Sequence, residues 1–227
     1  MVSCADGNPC TPDACNGSVG CVVSTGSCDD SNPCTSDACG GQGCSHAYTP
    51  GLCAHLPLNF AEPFDCGDTQ WAFTPAIAGA TGQTKALWAI DGTPMPPAAK
   101  SQSCSLNFND GAGTGGHNSG SAVSNGSFDA TGKTKLTLTL WSWFDLRTAK
   151  VTDLRIIEAS ADGFATTPVA VTLDNTGPIQ TWGLVTVDLT PLAGKVFQVR
   201  FRFDGKTVEP VAWRSGWFVD DVLVVGE

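Results

Sequence analysis

Apolar and polar residues alternate along much of the chain beyond residue 58. In TKLTLTLWSWF (134–144), Leu136, Leu138 and Leu140 alternate with Thr137, Thr139 and Trp141. In VFQVRFRF (196–203), Phe197, Val199, Phe201 and Phe203 alternate with Gln198, Arg200 and Arg202. A period of two sends successive side chains to opposite faces, so each stretch reads as an antiparallel strand with one dry and one wet face. The same reading places strands at TQWAFT (69–74), KALWAI (85–90), CSLNF (104–108), LRIIEAS (154–160), VAVTL (169–173), WGLVTVDL (182–189) and GWFVDDVLVV (216–225). Turns rich in Gly, Asp, Asn and Pro separate them, and no segment carries a long helical period. Eight to ten strands in about 165 residues fit an antiparallel β-sandwich of the jelly-roll type.

The first 57 residues have no such pattern. CADGNPCTPDAC (4–15) returns as CDDSNPCTSDAC (28–39), identical at nine of twelve positions. Cysteines fall at 4, 10, 15 and 21, then at 28, 34, 39 and 44, with Cys53 following. Units this short bury too little apolar surface to offset chain entropy, so covalent staples must hold them. Zinc sites favour C-x2-4-C pairs near histidines; the closest cysteines here have four intervening residues, and disulfides are the expectation. Two disulfide schemes respect the repeat. In one, each unit closes on itself through Cys4–Cys15, Cys10–Cys21, Cys28–Cys39 and Cys34–Cys44, leaving Cys53 odd. In the other, units are chained through Cys10–Cys21, Cys15–Cys28, Cys34–Cys44 and Cys39–Cys53, leaving Cys4 odd. The chained scheme is our expectation, with Cys53 opening a degenerate third unit. Asn-Pro at 8–9 and 32–33 initiates turns, and Asp13 and Asp37 suit capping. A calcium role for Asp6, Asn8 and Asp13, or for Asp29, Asp30, Asn32 and Asp37, is the alternative. Their spacing does not follow the acidic calcium loop.

Composition separates the same two parts. Nine of the eleven cysteines precede residue 54, and five of the seven tryptophans lie at or beyond Trp141. We therefore expect a mostly β protein: disulfide-rich small repeats over 1–57, then an antiparallel β-sandwich over 58–227. Cys66 and Cys104 remain for the sandwich and should pair. That closes a loop of 38 residues, a contribution of about 4 kcal/mol on a chain-entropy model. Dense cysteines in a short segment point to an oxidising, extracellular or cell-surface setting. The formal charge of −10, from 22 acids and 12 bases, disfavours nucleic acid and anionic membrane surfaces as partners. It suits hard cations such as calcium. No apolar run approaches a membrane span. MVSCADGN lacks a basic n-region and an apolar h-region, so a secreted chain of this sequence is expected to be a processed piece.

Catalytic motifs are sparse. GAGTGG (111–116) satisfies G-x-G-x-x-G, but HNSGSAVSNG after it is no helix, and the stretch reads as a loop. His46, His55 and His117 are scattered, without a zinc-protease or nucleophile-elbow pattern. His117 beside Ser119 is better read as loop polarity. No carboxylate pair has a glycosidase placement, and the expectation is a non-enzyme. Among the tryptophans, Trp141 and Trp143 fall on the threonine face of their strand, opposite the leucines. They are the candidates for an exposed ligand-binding pair, as on a sugar-stacking platform. Packing against a sheet rim or a partner domain is the alternative.

Two resemblances add to this reading. The C-x-DGNPCT-x-D-x-C pattern of residues 4–53 resembles cysteine-rich repeats found in tandem in secreted surface proteins of myxobacteria-like organisms, which implies stalk or spacer units. NFAEPFDCGDTQWAF, SCSLNFNDG, LTLWSWFDL, ASADGF, WGLVTVDLTPLAGKVFQVRFRFD and SGWFVDDVLV occur in an order similar to MAM-like jelly rolls. Those domains accompany secreted metallopeptidases of the immune-inhibitor-A type. That resemblance covers nearly all of 59–227 and implies a structural calcium ion where the first and last strands meet. Its candidate ligands here are Glu62, Asp65, Asn109, Asp110, Asp220 and Asp221. Arg147 in WFDLR departs from the family, which often carries a carboxylate there. On a regular strand, Asp220 and Asp221 point to opposite faces. Asp221 then shares its face with Trp217, Val219 and Leu223, and Asp220 with Phe218, Val222 and Val224. A core-facing carboxylate would need a metal or hydrogen-bond donors.

The expected function is a non-catalytic, calcium-stabilised structural or adhesion module of an extracellular protein. Its partners would be other surface-protein chains, copies of itself or a glycan. A carbohydrate-binding accessory module of a larger secreted hydrolase is the alternative, followed by a secreted hydrolase in its own right.

Overall fold

The computed structural model describes residues 7, 10–11, 13–16, 20–23, 28–29, 34–40, 43–49, 52–59, 61–64, 66, 68, 70–74, 88–92, 99–101, 104–108, 119–144, 154–174, 180–204 and 216–227. The regular elements are almost all strands. Two hairpins come first: β1 (Asp13–Asn16) with β2 (Gly20–Val23), and β3 (Thr35–Gly40) with β4 (Gly43–Tyr48). Twelve strands follow: β5 (Ala61–Glu62), β6 (Trp71–Thr74), β7 (Trp88–Asp91), β8 (Ser105–Phe108), β9 (Ser119–Ser124), β10 (Phe128–Asp129), β11 (Leu136–Phe144), β12 (Leu154–Ser160), β13 (Val169–Thr172), β14 (Gly183–Asp188), β15 (Val196–Asp204) and β16 (Trp217–Gly226). A single 3₁₀ turn, Thr190–Leu192, is the helical piece among the described residues.

These twelve form two antiparallel sheets packed face to face. One has the order β13-β12-β15-β9-β6, with β10 on β15; the other has β14-β11-β16-β8-β7, with β5 on β16. The alternation read from sequence decides what lies between them. Leu136, Leu138 and Leu140 are fully buried, as are Val199 and Phe201, while Thr137, Thr139, Arg200 and Arg202 face outward and stay partly exposed. Aromatic rings cross the gap: Phe201 of one sheet meets Trp217 of the other edge-on at 5.9 Å, and Phe108 stacks on Phe203 at 4.3 Å. Full burial of each such side chain is worth about 1.5–3 kcal/mol.

Two elements differ from the pattern reading. Residues 119–124, SGSAVS, have weak strand propensity, yet β9 lies between β15 and β6. Small side chains are what that position admits. A Cβ on Gly120 would lie 3.2 Å from the Phe108 ring and 3.3 Å from the Thr74 carbonyl oxygen. The second difference is in β16, where Thr139 pairs with Leu223 but Trp141 pairs with Asp220. One residue of β11 thus opposes two of β16, a bulge, and Asp221 takes a φ of +49° there. The extra residue reverses the phase of the strand. Trp217 and Val219 before the bulge and Val222 and Val224 after it all enter the same core. The regular-strand grouping of Trp217, Val219 and Leu223 with Asp221 is thereby corrected.

The disulfides also differ from both sequence schemes. Cys10 bonds Cys39, Cys28 bonds Cys44, Cys34 bonds Cys53 and Cys66 bonds Cys104; Cys21 is disulfide-bonded as well. The expected Cys10–Cys21, Cys15–Cys28, Cys34–Cys44 and Cys39–Cys53 links are therefore replaced. The reason is the hairpin. Cys39 and Cys44 are direct partners across β3 and β4, and each turns to a different cysteine outside the hairpin.

After Cys53 the chain passes straight into the sandwich. Leu56 is buried in the core cluster and bridges Phe128 in parallel, its N–H bonding the Ser127 carbonyl at 2.8 Å. His55 Nδ1 lies 3.0 Å from Ser127 Oγ, and the His55 carbonyl is 3.3 Å from Cys34 Sγ.

Candidate functional site

The outer face of the β14-β11-β16-β8-β7 sheet gathers the most unusual chemistry. Trp141 on β11 is the register partner of Asp220 on β16. Asp220 is fully buried although it lies outside the core, and residues 100 and 101 bond its carboxylate. Its Oδ2 accepts the backbone N–H groups of Lys100 at 2.7 Å and Ser101 at 3.2 Å, and its Oδ1 accepts that of Asp221 at 3.0 Å. Burial pushes the Asp220 carboxyl up to about 7, against the lowering effect of these three amides; the nearby Asp221 charge adds to the rise. The Ser101 hydroxyl donates to the Asp221 carboxylate. The Lys100 ammonium lies 4.4 Å from the centre of the Trp141 ring, a cation–π contact.

This arrangement corrects the expected exposed pair. Trp143 is 3% exposed and packs edge-on against Phe218 at 5.3 Å. Trp141 is half-buried beneath Lys100. The strand pattern placed both on the outer face, and at Trp143 that face is covered by Phe218.

The described members of the expected calcium set do not converge. Glu62 pairs with Val222, whose side chain is in the core, so it lies on the opposite side of β16 from Asp220. Its Oε1 accepts the Phe64 N–H at 3.0 Å, and it borders a small cleft with Leu56, Trp71 and Phe128. Asp220 is already satisfied by amides. Asp65, Asn109 and Asp110 lie outside the described residues. Among the described residues, one group of three potential ligand atoms lies within 4.8 Å of one another: the sulfurs of Cys10, Cys28 and Cys44. All three sulfurs are held in disulfides, so they do not fit a resident metal.

The outer face of the other sheet carries an ion-pair network that the sequence pattern did not single out. Glu158 on β12 is 5% exposed; its Oε2 lies 2.6 Å from Arg200 Nε and its Oε1 3.4 Å from Arg202 Nη2. The Arg200 guanidinium stacks 3.9 Å from the Phe164 ring centre. Each charge is an ordinary wet-face residue in sequence, and only the register Glu158↔Arg200 brings the pair together. Arg155 is odder still. It shares the inner face of β12 with Ile157 and Ala159, lies 3.4 Å over Phe144 and donates to the Asp174 carbonyl at 2.7 Å. Burial pulls its pKa down to about 10, and the Asp174 charge opposes that. The guanidinium stays charged at neutral pH.

A Ser–His–Asp combination does occur at the junction: Ser127, His55 and Asp129. His55 Nε2 is 4.0 Å from the Asp129 carboxylate, too long for the hydrogen bond that orients a catalytic imidazole. Asp129 instead accepts the Thr131 N–H at 2.8 Å. The group clamps the junction. Ser119, set beside His117 in the sequence, donates to Asp204 at 3.0 Å.

Residues 3–25 and 27–47 match the family model described as the Dictyostelium (slime mold) repeat. The amino-terminal segment thus carries two copies of a cysteine-rich repeat. No curated protein matches the chain. Among solved structures, the K3 cleaved adhesin domain of Lys-gingipain from Porphyromonas gingivalis is similar at 17% identity and a TM-score of 0.45, covering 73% of this chain and 97% of that one. A family 11 carbohydrate-binding module from Clostridium thermocellum is similar at 11% identity and a TM-score of 0.42, covering 73% and 94%. The glycoside hydrolase domain of Endo-D from Streptococcus pneumoniae is similar at 18% identity and a TM-score of 0.46, covering 68% of this chain. The match spans only 21% of that longer protein. None of these likenesses is close enough to carry a function across.

Proposed function

We propose that the protein is a non-catalytic structural or adhesion module of an extracellular protein, in which disulfide-stapled spacer repeats hold a β-sandwich in place. The observation that carries this reading is the junction. Cys34–Cys53 anchors the last turn of the spacer, and three residues later Leu56 is inside the sandwich core. A spacer seated in the core fixes the position of the sandwich, whereas a loose linker would let it swing. Extracellular placement rests on the disulfides, which persist in oxidising compartments. Partners of this module would be other surface-protein chains or further copies of itself. Backbone nuclear relaxation tests the reading: residues 34–56 and the sandwich should share one tumbling time, and Leu56→Ala should separate them. Repeats that tumble independently in the unaltered chain would overturn it.

A second reading is glycan binding at Trp141, favoured by a half-exposed indole with a lysine ammonium over its face. A glycan array on the chain and on Trp141→Ala decides it, since signal retained by the variant removes Trp141 as the platform. Calcium enters the proposal through the sequence resemblance. An ion near Asp221 would need oxygens from Asp65, Asn109 or Asp110, since Glu62 and Asp220 are engaged elsewhere. A thermal midpoint that falls with chelator and returns with calcium supports the ion, and an unchanged midpoint removes it.

A further inference from the structure

Two of the nine asparagines in the chain are followed by a residue other than proline and then by a serine: Asn16-Gly17-Ser18 and Asn125-Gly126-Ser127. Asn-x-Ser is the acceptor triplet for asparagine-linked glycans, and it belongs on a surface loop of a secreted protein. Asn125 meets that condition. β9 ends at Ser124 and β10 begins at Phe128, so residues 125–127 are the whole connection between two strands of one sheet. Asn125 is exposed, although Ser124 and Phe128 on either side of the triplet are buried. Its N–H donates to the Gln70 carbonyl at 2.7 Å, which fixes the main chain of the turn. Asn16 ends β1 opposite Gly20 of β2, with its side chain outside the described residues.

The third residue of the triplet is held by the junction between spacer and sandwich. Ser127 Oγ lies 3.0 Å from His55 Nδ1, and the Ser127 carbonyl accepts the Leu56 N–H at 2.8 Å. In the folded chain the hydroxyl that completes the triplet is therefore engaged. A transferase reads that hydroxyl in an open chain, so attachment belongs to the stage before the junction closes.

We infer that Asn125 is a modification site that carries an asparagine-linked oligosaccharide, standing on the β9–β10 turn beside the junction. The donor is an oligosaccharide joined to a lipid diphosphate. Asn125 Nδ2 attacks the anomeric carbon of the first sugar and gives up one proton to a base. A C–N bond forms, the C–O bond to the diphosphate breaks, and the lipid diphosphate leaves with the bonding pair. Nothing is oxidised or reduced. This glycan is one that the chain carries, separate from any glycan bound at Trp141 on the other sheet. The site rests on the extracellular reading, because donor and transferase meet a chain on its way out of the cell.

The experiment is glycopeptide mapping. The full chain, behind a cleavable secretion leader, is made in a eukaryotic secretory host and digested with trypsin. The peptide holding Asn125 should carry an oligosaccharide mass, and Asn16 is read separately because it falls in a different tryptic peptide. Enzymatic release in heavy-oxygen water should leave a heavy aspartate at 125, which earlier spontaneous deamidation of Asn-Gly does not. Asn125→Gln and Ser127→Ala should each abolish the modification, and Ser127→Thr should keep it. His55→Ala removes the same hydrogen bond as Ser127→Ala but leaves the triplet whole, so it should stay glycosylated. An unmodified Asn125 peptide from the parent chain overturns the inference, as does loss of the glycan in His55→Ala. Medium and cell fractions are both read. A chain retained in the cell with reduced cysteines counts against extracellular placement, while its Asn125 peptide still decides the site.

Discussion

Lys100 holds Asp220 from two directions: its backbone N–H donates to the carboxylate at 2.7 Å, and its ammonium lies over Trp141, the strand partner of that aspartate. Burial nonetheless raises the Asp220 carboxyl from 3.8 to about 7. A raised carboxyl retains its proton in the folded chain after the unfolded chain has lost it. Stability should therefore be greatest below about pH 4 as far as this group is concerned, and be lost as pH rises to about 7. The full shift corresponds to at most about 4 kcal/mol. Denaturant midpoints between pH 4 and 8 should fall more steeply for the parent than for Asp220→Asn; parallel profiles would show that Asp220 does not titrate in this range.

Gly120 admits no side chain without movement of the Phe108 ring or the Thr74 backbone. Gly120→Val should destabilise the sandwich by about 1–3 kcal/mol through overpacking. Urea unfolding monitored by tryptophan fluorescence measures this, and a change within error would mean that β9 sits further from β8 than described.

The Glu158–Arg200 contact is short and largely buried on the carboxylate side. Glu158→Gln and Arg200→Met should each destabilise the fold, by about 1–3 kcal/mol for a charge-assisted hydrogen bond. The double variant should lose less than the sum. A double-mutant cycle gives the coupling directly, and strict additivity would remove the pair as a source of stability.

Leu56 lies before residue 58, where the strand pattern starts the sandwich, but it is 6% exposed in the core. Leu56→Ala should lower sandwich stability by about 2–5 kcal/mol, the usual range for a cavity left by a buried leucine. Calorimetry should show the loss in the main transition. An unchanged main transition would place the residue outside the cooperative unit.

The sequence by itself determined the period. Strict alternation at 134–144 and 196–203 leaves one way to bury Leu136, Leu138, Leu140, Phe197, Val199 and Phe201 together, and that is a sandwich of antiparallel strands. It also determined the repeat and its covalent character, because segments of that size and polarity have no other means of holding together. Tertiary structure decided what depends on register and on partners far along the chain. A bulge at Asp221 shifts the phase of β16, and no pattern of apolar residues announces one extra backbone unit. Trp143 is buried with Phe218 packed against it, and the buried Asp220 is bonded by the amides of Lys100 and Ser101, some 120 positions earlier. Cysteine spacing is compatible with many pairings, and only the hairpins choose among them. The hairpin of β3 and β4 sends Cys39 to Cys10 of the preceding repeat and Cys44 to Cys28 of its own, which turns the repeat from a closed staple into a link.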